Sequence, residues 1–334
     1  MASLKDVAMR AGVSTATVSN TINRPEMVRP GTRRRVELAI RDLEWVPNEQ
    51  ARILAGGGSQ VLGLVVLDTL SPFFMEAARA VEESANEEGN VVIVCNSNSS
   101  LEREEQLLKI LAAQKVRGIL LTPSSEESLD LGRLKSFDVP LVFLDARSGP
   151  DACSVSVDDE AGGAMAVDHL LDLGHRSIAF VGGVRTTRQF RQRADGGKAA
   201  MRARGLDPAQ HFREVFMTGM GIPDGSAAVD RLFDEGPTPT AIYCGNDMLA
   251  FGVYRGLARL GVRVPEDVAL VGYDDIDVAA DWIVPLTSIR QPTAELGHQA
   301  AQLLLDHSRE PGHRHRQIVL NPRLVVRNST SPVN

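Results

Sequence analysis

Apolar positions fall into three short helical stripes before residue 46, and into alternating strand-like and helix-like blocks from residue 61 onward. Leu4, Val7, Ala8 and Ala11 recur at helical spacing behind Ser3 and Asp6, a capping-box pattern with a shortened acid. Gly12 stops that helix. Ser14 caps the next, Thr15 to Ile22, in which Val18 and Ile22 make one apolar stripe and small polar residues cover the rest. A third helix is expected over Gly31–Leu43, with Val36, Ala39, Ile40 and Leu43 turned inward and Arg33, Arg34 and Arg35 fanned around its axis. Pro47 then opens a short helix to Leu54, ended by the flexible run Gly56-Gly57-Gly58. A helix of about seven residues is marginal alone, so this one is expected to form only when docked against a partner.

The pattern after residue 60 is different. Val61–Leu67 is a continuous apolar run of the kind that fills a buried parallel strand. Further strands are expected at Val91–Val94, Gly118–Leu121, Pro140–Leu144, Ile178–Val181, Ala241–Cys244 and Val268–Val271. Helical blocks separate them at Phe73–Glu88, Leu101–Gln114, Ala161–Leu173 and Met248–Leu260. This alternation is that of an α/β fold with mainly parallel sheets, and the strands are too many for one compact sheet, so two lobes are expected. No short fixed period appears, which argues against a solenoid.

The 334 residues suggest two or three packed units, and 43% apolar with 24% charged residues is ordinary globular composition. No apolar run reaches the roughly 18–20 residues of a membrane span. The first twelve residues carry Asp6 and no continuous apolar core, so they do not read as a signal peptide, and a cytoplasmic location is expected. Cys95, Cys153 and Cys244 are odd in number and far apart, which gives no expectation of a disulfide framework or a metal cluster. The net charge of −7 is uneven. Residues 1–60 hold nine Lys/Arg and six Asp/Glu, for +3, and the remainder carries −10. A basic head on an acidic body points to a polyanion as the head's partner.

Two short helices joined by a glycine-containing turn match the helix-turn-helix pattern, whose second helix enters the DNA major groove. Thr15, Ala16 and Asn20 are the candidates for base contact. Threonine can bond to bases or phosphate, alanine can touch a thymine methyl, and asparagine can pair with adenine. The same small polar residues would equally solvate an ordinary helix.

The strings Leu4-Lys5-Asp6-Val7-Ala8, Ala11-Gly12-Val13-Ser14-Thr15-Ala16-Thr17-Val18-Ser19, and Pro47-Asn48 with Ala51-Arg52 and Leu54 resemble the lactose/galactose-repressor (LacI/GalR) family. The resemblance continues through the whole chain. It implies a homodimeric transcription factor, reading a near-palindromic operator, with no catalytic residues and no cofactor. It extends the DNA-facing set to Thr17, Asn48, Ala51 and Arg52, and makes Leu54 the wedge that enters the minor groove at the operator centre. Arg29 departs from the pattern, since many members carry serine there as the cap of the third helix, but Pro30 still supplies a helix start.

For the remainder, the resemblance implies the two-lobed periplasmic-binding-protein type I architecture. The expected domains are a helix-turn-helix domain at 1–46, a hinge helix and linker at 47–60, and an effector-binding and dimerisation body at 61–330. Lobe one is expected over about 61–158 plus 290–320, and lobe two over about 159–289 plus 321–330. Ligands in such sheets sit outside the carboxyl ends of the strands. Asp145, Asn246 and Asp274 each follow or close an expected strand, and Arg193 comes from the helix after Val181-Gly182-Gly183. Acceptors, an amide and a forked donor suit a ligand with several hydroxyl groups. In the family, positions matching Arg193, Asn246 and Asp274 contact the effector, and the position matching Asp145 often does. Phe73 and Phe74 follow Ser71-Pro72 and could close over a sugar face, and Met220 and Trp282 complete the candidate set. A sugar or polyol is the expected effector, with a nucleoside or purine next.

Other function classes fit less well. The chain has no G-x-S-x-G elbow and no G-x-x-x-x-G-K-[ST] loop, and its glycine run precedes a strand rather than following one. Asp158-Asp159 pairs two carboxylates but sits at a strand-to-helix junction. His313 and His315 alternate along an expected strand without further ligands, so no metal site is expected. An exported sugar-binding protein would fit the body alone, and the DNA-reading head argues against it. No heptad segment follows Arg327, which favours a dimer.

Overall fold

A computed structural model describes residues 2–45, 58–234, 236–310 and 312–330. The short helix expected at 47–54, with Asn48, Ala51, Arg52 and Leu54, lies outside these residues. The chain divides into two compact units, Met1–Gln60 and Val61–Asn334.

The first unit is three helices around a small apolar core. Helix α1 (Leu4–Ala11) opens on a capping box. The Ser3 amide donates to Asp6 Oδ2 at 2.8 Å, and the Asp6 amide donates to Ser3 Oγ at 3.4 Å. The Ser3 amide, and the Ser3 hydroxyl that also donates to Asp6 Oδ2, hold the Asp6 carboxyl below its usual range. Gly12, at φ 64°, closes α1 in the left-handed conformation. Ser14 Oγ accepts the Thr17 amide at 3.1 Å and starts α2 (Thr15–Asn23). Helix α3 (Pro30–Asp42) starts on proline, and Arg29 makes no side-chain cap bond. Val7, Ala8, Ala11, Val18, Val36 and Ala39 are buried together, with Leu4, Ile22, Ile40, Leu43 and Trp45 packed around them.

The second unit carries two six-stranded sheets. The first is built from β1 (Val61–Val66), β2 (Val91–Asn96), β3 (Gly118–Leu121), β4 (Leu141–Leu144) and β5 (Cys153–Val157), with α4 (Pro72–Glu87) and α5 (Leu101–Ala113) between them. The chain passes through α6 (Asp159–Asp172) into β6 (Ile178–Gly182), α7 (Arg188–Ala203), β7 (Phe212–Phe216), α8 (Ile222–Asp234), β8 (Ala241–Cys244), α9 (Asp247–Arg259), β9 (Ala269–Asp274) and β10 (Thr287–Arg290). Helix α10 (Thr293–Arg309) leads back to β11 (Gln317–Leu320) in the first sheet, and β12 (Arg323–Val325) joins the second. The sheet orders are β11-β5-β4-β3-β1-β2 and β12-β10-β9-β8-β6-β7. All pairings are parallel except β12 on β10. The chain therefore crosses between the sheets three times, after β5, β10 and β11.

Parallel strands need both faces covered, and the central strands β3, β5, β6, β8 and β9 are buried throughout. The edge strands are less covered, β2 and β11 most of all. Strand β2, at one edge of the first sheet, leaves Val91, Ile93 and Val94 exposed. No helix among the described residues is long and apolar enough to cross a membrane.

Candidate functional site

The DNA-facing candidates among the described residues lie along one helix. Thr15, Ala16 and Asn20 are exposed on α2, opposite the buried Val18 and Thr21. Thr17 is half-buried. Its Oγ1 lies 2.9 Å from Ser14 Oγ and its carbonyl accepts the Thr21 hydroxyl at 2.8 Å, so its hydroxyl serves the helix start. Lys5, Arg24, Arg29, Arg34, Arg35 and Arg41 of this unit are exposed, whereas Arg10 and Arg33 pair with Asp42 and Glu37.

In the body, strand ends of both sheets converge on one small cavity. Phe73, Phe74, Asp145, Arg193, Met220, Asn246 and Asp274, seven of the eight expected effector residues, line it. Trp282 does not. It stacks on Phe251 with ring centroids 4.1 Å apart, because apolar packing against α9 claims it. Gln189, Phe190, Thr187, Ser71 and Leu67 also line the cavity, and the sequence reading does not include them.

The aspartates sit where the strands release the chain. Asp145 follows β4 at φ 56°, and Asp274 ends β9 at φ 105°. Non-glycine residues in this region cost about 1–3 kcal/mol and cluster at functional sites. Asn246 caps α9: its Oδ1 accepts the Leu249 amide at 2.8 Å and its Nδ2 donates to the Met220 carbonyl at 3.2 Å.

Arg193 holds the centre. It is 4% exposed. Its Nε donates to Asp159 Oδ1 at 2.8 Å and its Nη1 to the Gly245 carbonyl at 2.6 Å. Nη1 stands 3.8 Å from Asp274 Oδ1, and the guanidinium lies 3.7 Å over the Tyr273 ring. The Tyr273 hydroxyl also donates to Asp159 Oδ1, at 3.2 Å. Glycines permit this approach. A Cβ on Gly163 of α6 would stand 2.0 Å from the Arg193 carbonyl oxygen, and one on Gly196 of α7 would stand 2.0 Å from the Glu160 carbonyl oxygen. Both contacts are with backbone, so α6 and α7 can meet this closely only without those side-chain atoms.

Around this one guanidinium stand three buried carboxyls, Asp145, Asp159 and Asp274. Burial opposes the charge on Arg193, but Asp159, Tyr273, Asp274 and Asp145 outweigh it and hold the proton more firmly than usual. Burial pushes Asp145 to about 8, with Asp159 adding to the rise. Burial likewise pushes Asp274 to about 8 against the pull of Arg193. Asp159 is raised by burial and held back by Arg193. Behind them Asp247, which accepts from Ser288 Oγ at 2.7 Å and the Ile276 amide at 2.9 Å, is raised by burial to about 7. Gln291 donates to Asp274 Oδ1 at 2.7 Å and Gln189 to Asp145 Oδ2 at 3.0 Å, while Asp145 Oδ1 is buried with no protein donor.

These carboxyls bind protons more tightly in the folded chain than in the unfolded one. Their stabilising effect is complete below about pH 4 and is lost as pH rises through 7 and 8. Unfolding free energy of the ligand-free chain is therefore expected to fall steadily between roughly pH 6 and pH 9. Denaturant titrations across that range check this, and a flat or rising profile would contradict the placement of these carboxyls.

Comparison with known proteins gives the site its context. The description "Bacterial regulatory proteins, lacI family" matches residues 3–48, and "Periplasmic binding protein-like domain" matches residues 167–330. The chain is 34% identical over 337 residues to the HTH-type transcriptional repressor PurR of Photobacterium profundum, covering 100% of both chains. The chain belongs to the LacI family. Like the other members, this LacI-family protein is a DNA-binding transcriptional regulator and not an enzyme. It superposes with a TM-score of 0.84 on the lac repressor dimer bound to operator and the anti-inducer ONPF, at 28% identity, covering 99% of each chain. It is also similar to the transcriptional regulator CelR, solved as a cellobiose complex, with a TM-score of 0.73, 31% identity, and 98% of this chain and 100% of that chain covered. Repressors of this family bind operator DNA and small-molecule effectors.

Proposed function

We propose that this LacI-family regulator is a cytoplasmic homodimeric repressor of a near-palindromic operator, controlled by a hydroxyl-rich ligand, a sugar or polyol, bound in the Arg193 cavity. One observation carries the ligand class: Asp145, Asp274 and Arg193 converge at strand ends, and Asp145 Oδ1 is buried without a donor. A buried acceptor left unpaired costs about 1–3 kcal/mol, and a ligand hydroxyl placed there removes that cost. The complex of CelR with cellobiose supports the same class. The lining rings Phe73, Phe74 and Phe190 favour a second reading, a planar nucleobase or nucleoside.

The cavity holds only about 30 Å³. Ligand pockets usually enclose roughly 300–1,000 Å³, so the ligand must part the two lobes to enter. A ligand that favours one lobe angle shifts the population of that state, and operator affinity changes if the two states differ in DNA affinity. Exposed Val91, Ile93 and Val94 on the edge strand β2, with Ile110 on α5, supply an apolar face for the second copy.

A thermal-shift screen of the full chain against sugars, polyols and nucleosides tests the ligand class. A ligand at about 100 times its Kd adds roughly 2.7 kcal/mol of stability. A sugar or polyol hit is expected. A nucleoside hit transfers the site to the second reading, and no hit in any class overturns both. Leu54→Ala is expected to weaken operator binding about tenfold or more, by removing the minor-groove wedge, while leaving the thermal shift unchanged. Parental operator affinity in that variant would remove Leu54 from the interface.

A further inference from the structure

Away from the cleft, the structure corrects the sequence reading of His313 and His315. They do not lie on a strand: β11 begins at Gln317, and the two histidines belong to the segment that leads into it. Nor do they lack a third ligand. The pairing of β11 with β5, Gln317 beside Ser154, brings up Cys153 from far back in the chain. Cys153 Sγ is 3.1 Å from His313 Nε2 and 3.6 Å from His315 Nδ1, and the three ligand atoms lie within 4.8 Å of one another. Cys153 is fully buried, and both histidines are half-buried.

We propose that Cys153, His313 and His315 form a binding site for a divalent transition metal of the zinc class. Zinc–sulfur bonds of about 2.3 Å and zinc–nitrogen bonds of about 2.0–2.1 Å place tetrahedral sulfur and nitrogen ligands roughly 3.6 Å apart. The Cys153–His315 separation is 3.6 Å, and the Cys153–His313 separation needs to open by a few tenths of an ångström from 3.1 Å. Thiolate and imidazole together select borderline and soft metals over magnesium or calcium. On binding, the metal–sulfur bond forms as the Cys153 S–H proton leaves to solvent, and both imidazoles coordinate in neutral form. Three protein ligands leave a fourth position. His307 is the nearest candidate for it: its ring lies 5.0 Å from His313 and 5.3 Å from His315, and its Nδ1 is buried without a hydrogen-bond partner. The bound metal would tie the segment between α10 and β11 to the first residue of β5. That residue lies at the end of the first sheet opposite the effector cavity, the end at which β1 starts.

The test is a cobalt(II) titration of the full-length chain without a histidine tag, followed by absorption. The expected result is one equivalent bound, with a thiolate-to-cobalt charge-transfer band, tetrahedral d–d bands, and displacement of both by zinc. Cys153→Ser is expected to abolish the charge-transfer band, and Cys95→Ser to leave it intact. His315→Ala, at a half-buried position, keeps the test open if the cysteine variant does not fold. Its affinity is expected to fall by more than the roughly 10–100-fold typical of losing an outer-shell partner. Absence of the band at one equivalent, its survival in Cys153→Ser, or parental affinity in His315→Ala would each overturn the proposal.

Discussion

Arg193→Met is expected to destabilise the protein by about 3–5 kcal/mol at neutral pH and to remove the effector response. Methionine fills much of the arginine volume, so the loss is one of charge and hydrogen bonding. Without the guanidinium, Asp159 loses its 2.8 Å partner, the Gly245 carbonyl loses its donor, and Asp145 and Asp274 lose the one cation they share. Asp145 and Asp274 already hold protons up to about pH 8, so any of these groups still ionised must then take up a proton or unfold the region. The destabilisation should therefore shrink as pH falls and the remaining ionised carboxyls take up protons. It should also shrink when Asp159→Asn is combined with Arg193→Met. Urea titrations of the two single variants and the double variant form the cycle that measures this coupling. Simple additivity would show that Arg193 and Asp159 do not act as a pair.

Gly163→Val is expected to cost about 3 kcal/mol or more and to abolish ligand binding without touching a ligand-contacting side chain. The added Cβ would stand 2.0 Å from the Arg193 carbonyl oxygen, a backbone atom that cannot rotate away. Helices α6 and α7 must part, and the Arg193–Asp159 bond that spans them parts with them. Gly163→Ala meets the same obstacle with the smallest possible side chain. Denaturant midpoints and the thermal shift with the screened ligand report both effects. Parental stability in the alanine variant would show that the helices have slack to give.

Much of the fold is legible in the sequence where local chemistry and tertiary environment agree. Ser3 with Asp6, Gly12 and Ser14 mark the first two helices because caps and stops are local events. Val61–Val66 reads as a buried strand because nearly every side chain in it is apolar and buried. Strands β5, β7 and β10 escape the sequence reading, because their sequences, Cys-Ser-Val-Ser-Val, Phe-Arg-Glu-Val-Phe and Thr-Ser-Ile-Arg, carry polar residues that partners far along the chain satisfy. Ser288, for example, is fully buried because its hydroxyl donates to Asp247. The strand-end rule locates Asp145, Asn246 and Asp274. It misses Asp159 and Gln291 because the strands they follow, β5 and β10, escape the sequence reading, and it misses Gln189 because that residue comes from helix α7. Trp282 is misplaced for the converse reason: an aromatic near the cleft in sequence packs on Phe251 instead.

Ligand in the Arg193 cavity is expected to control operator binding. The most direct test measures affinity for a near-palindromic duplex, selected from a random pool with the full-length protein, with and without the screened sugar. The parent is expected to change affinity by about 5–150-fold, the usual range of allosteric coupling. Asp274→Ala is expected to bind DNA like the ligand-free parent and to show no change. Equal DNA affinity for the parent with and without a saturating ligand would contradict this control.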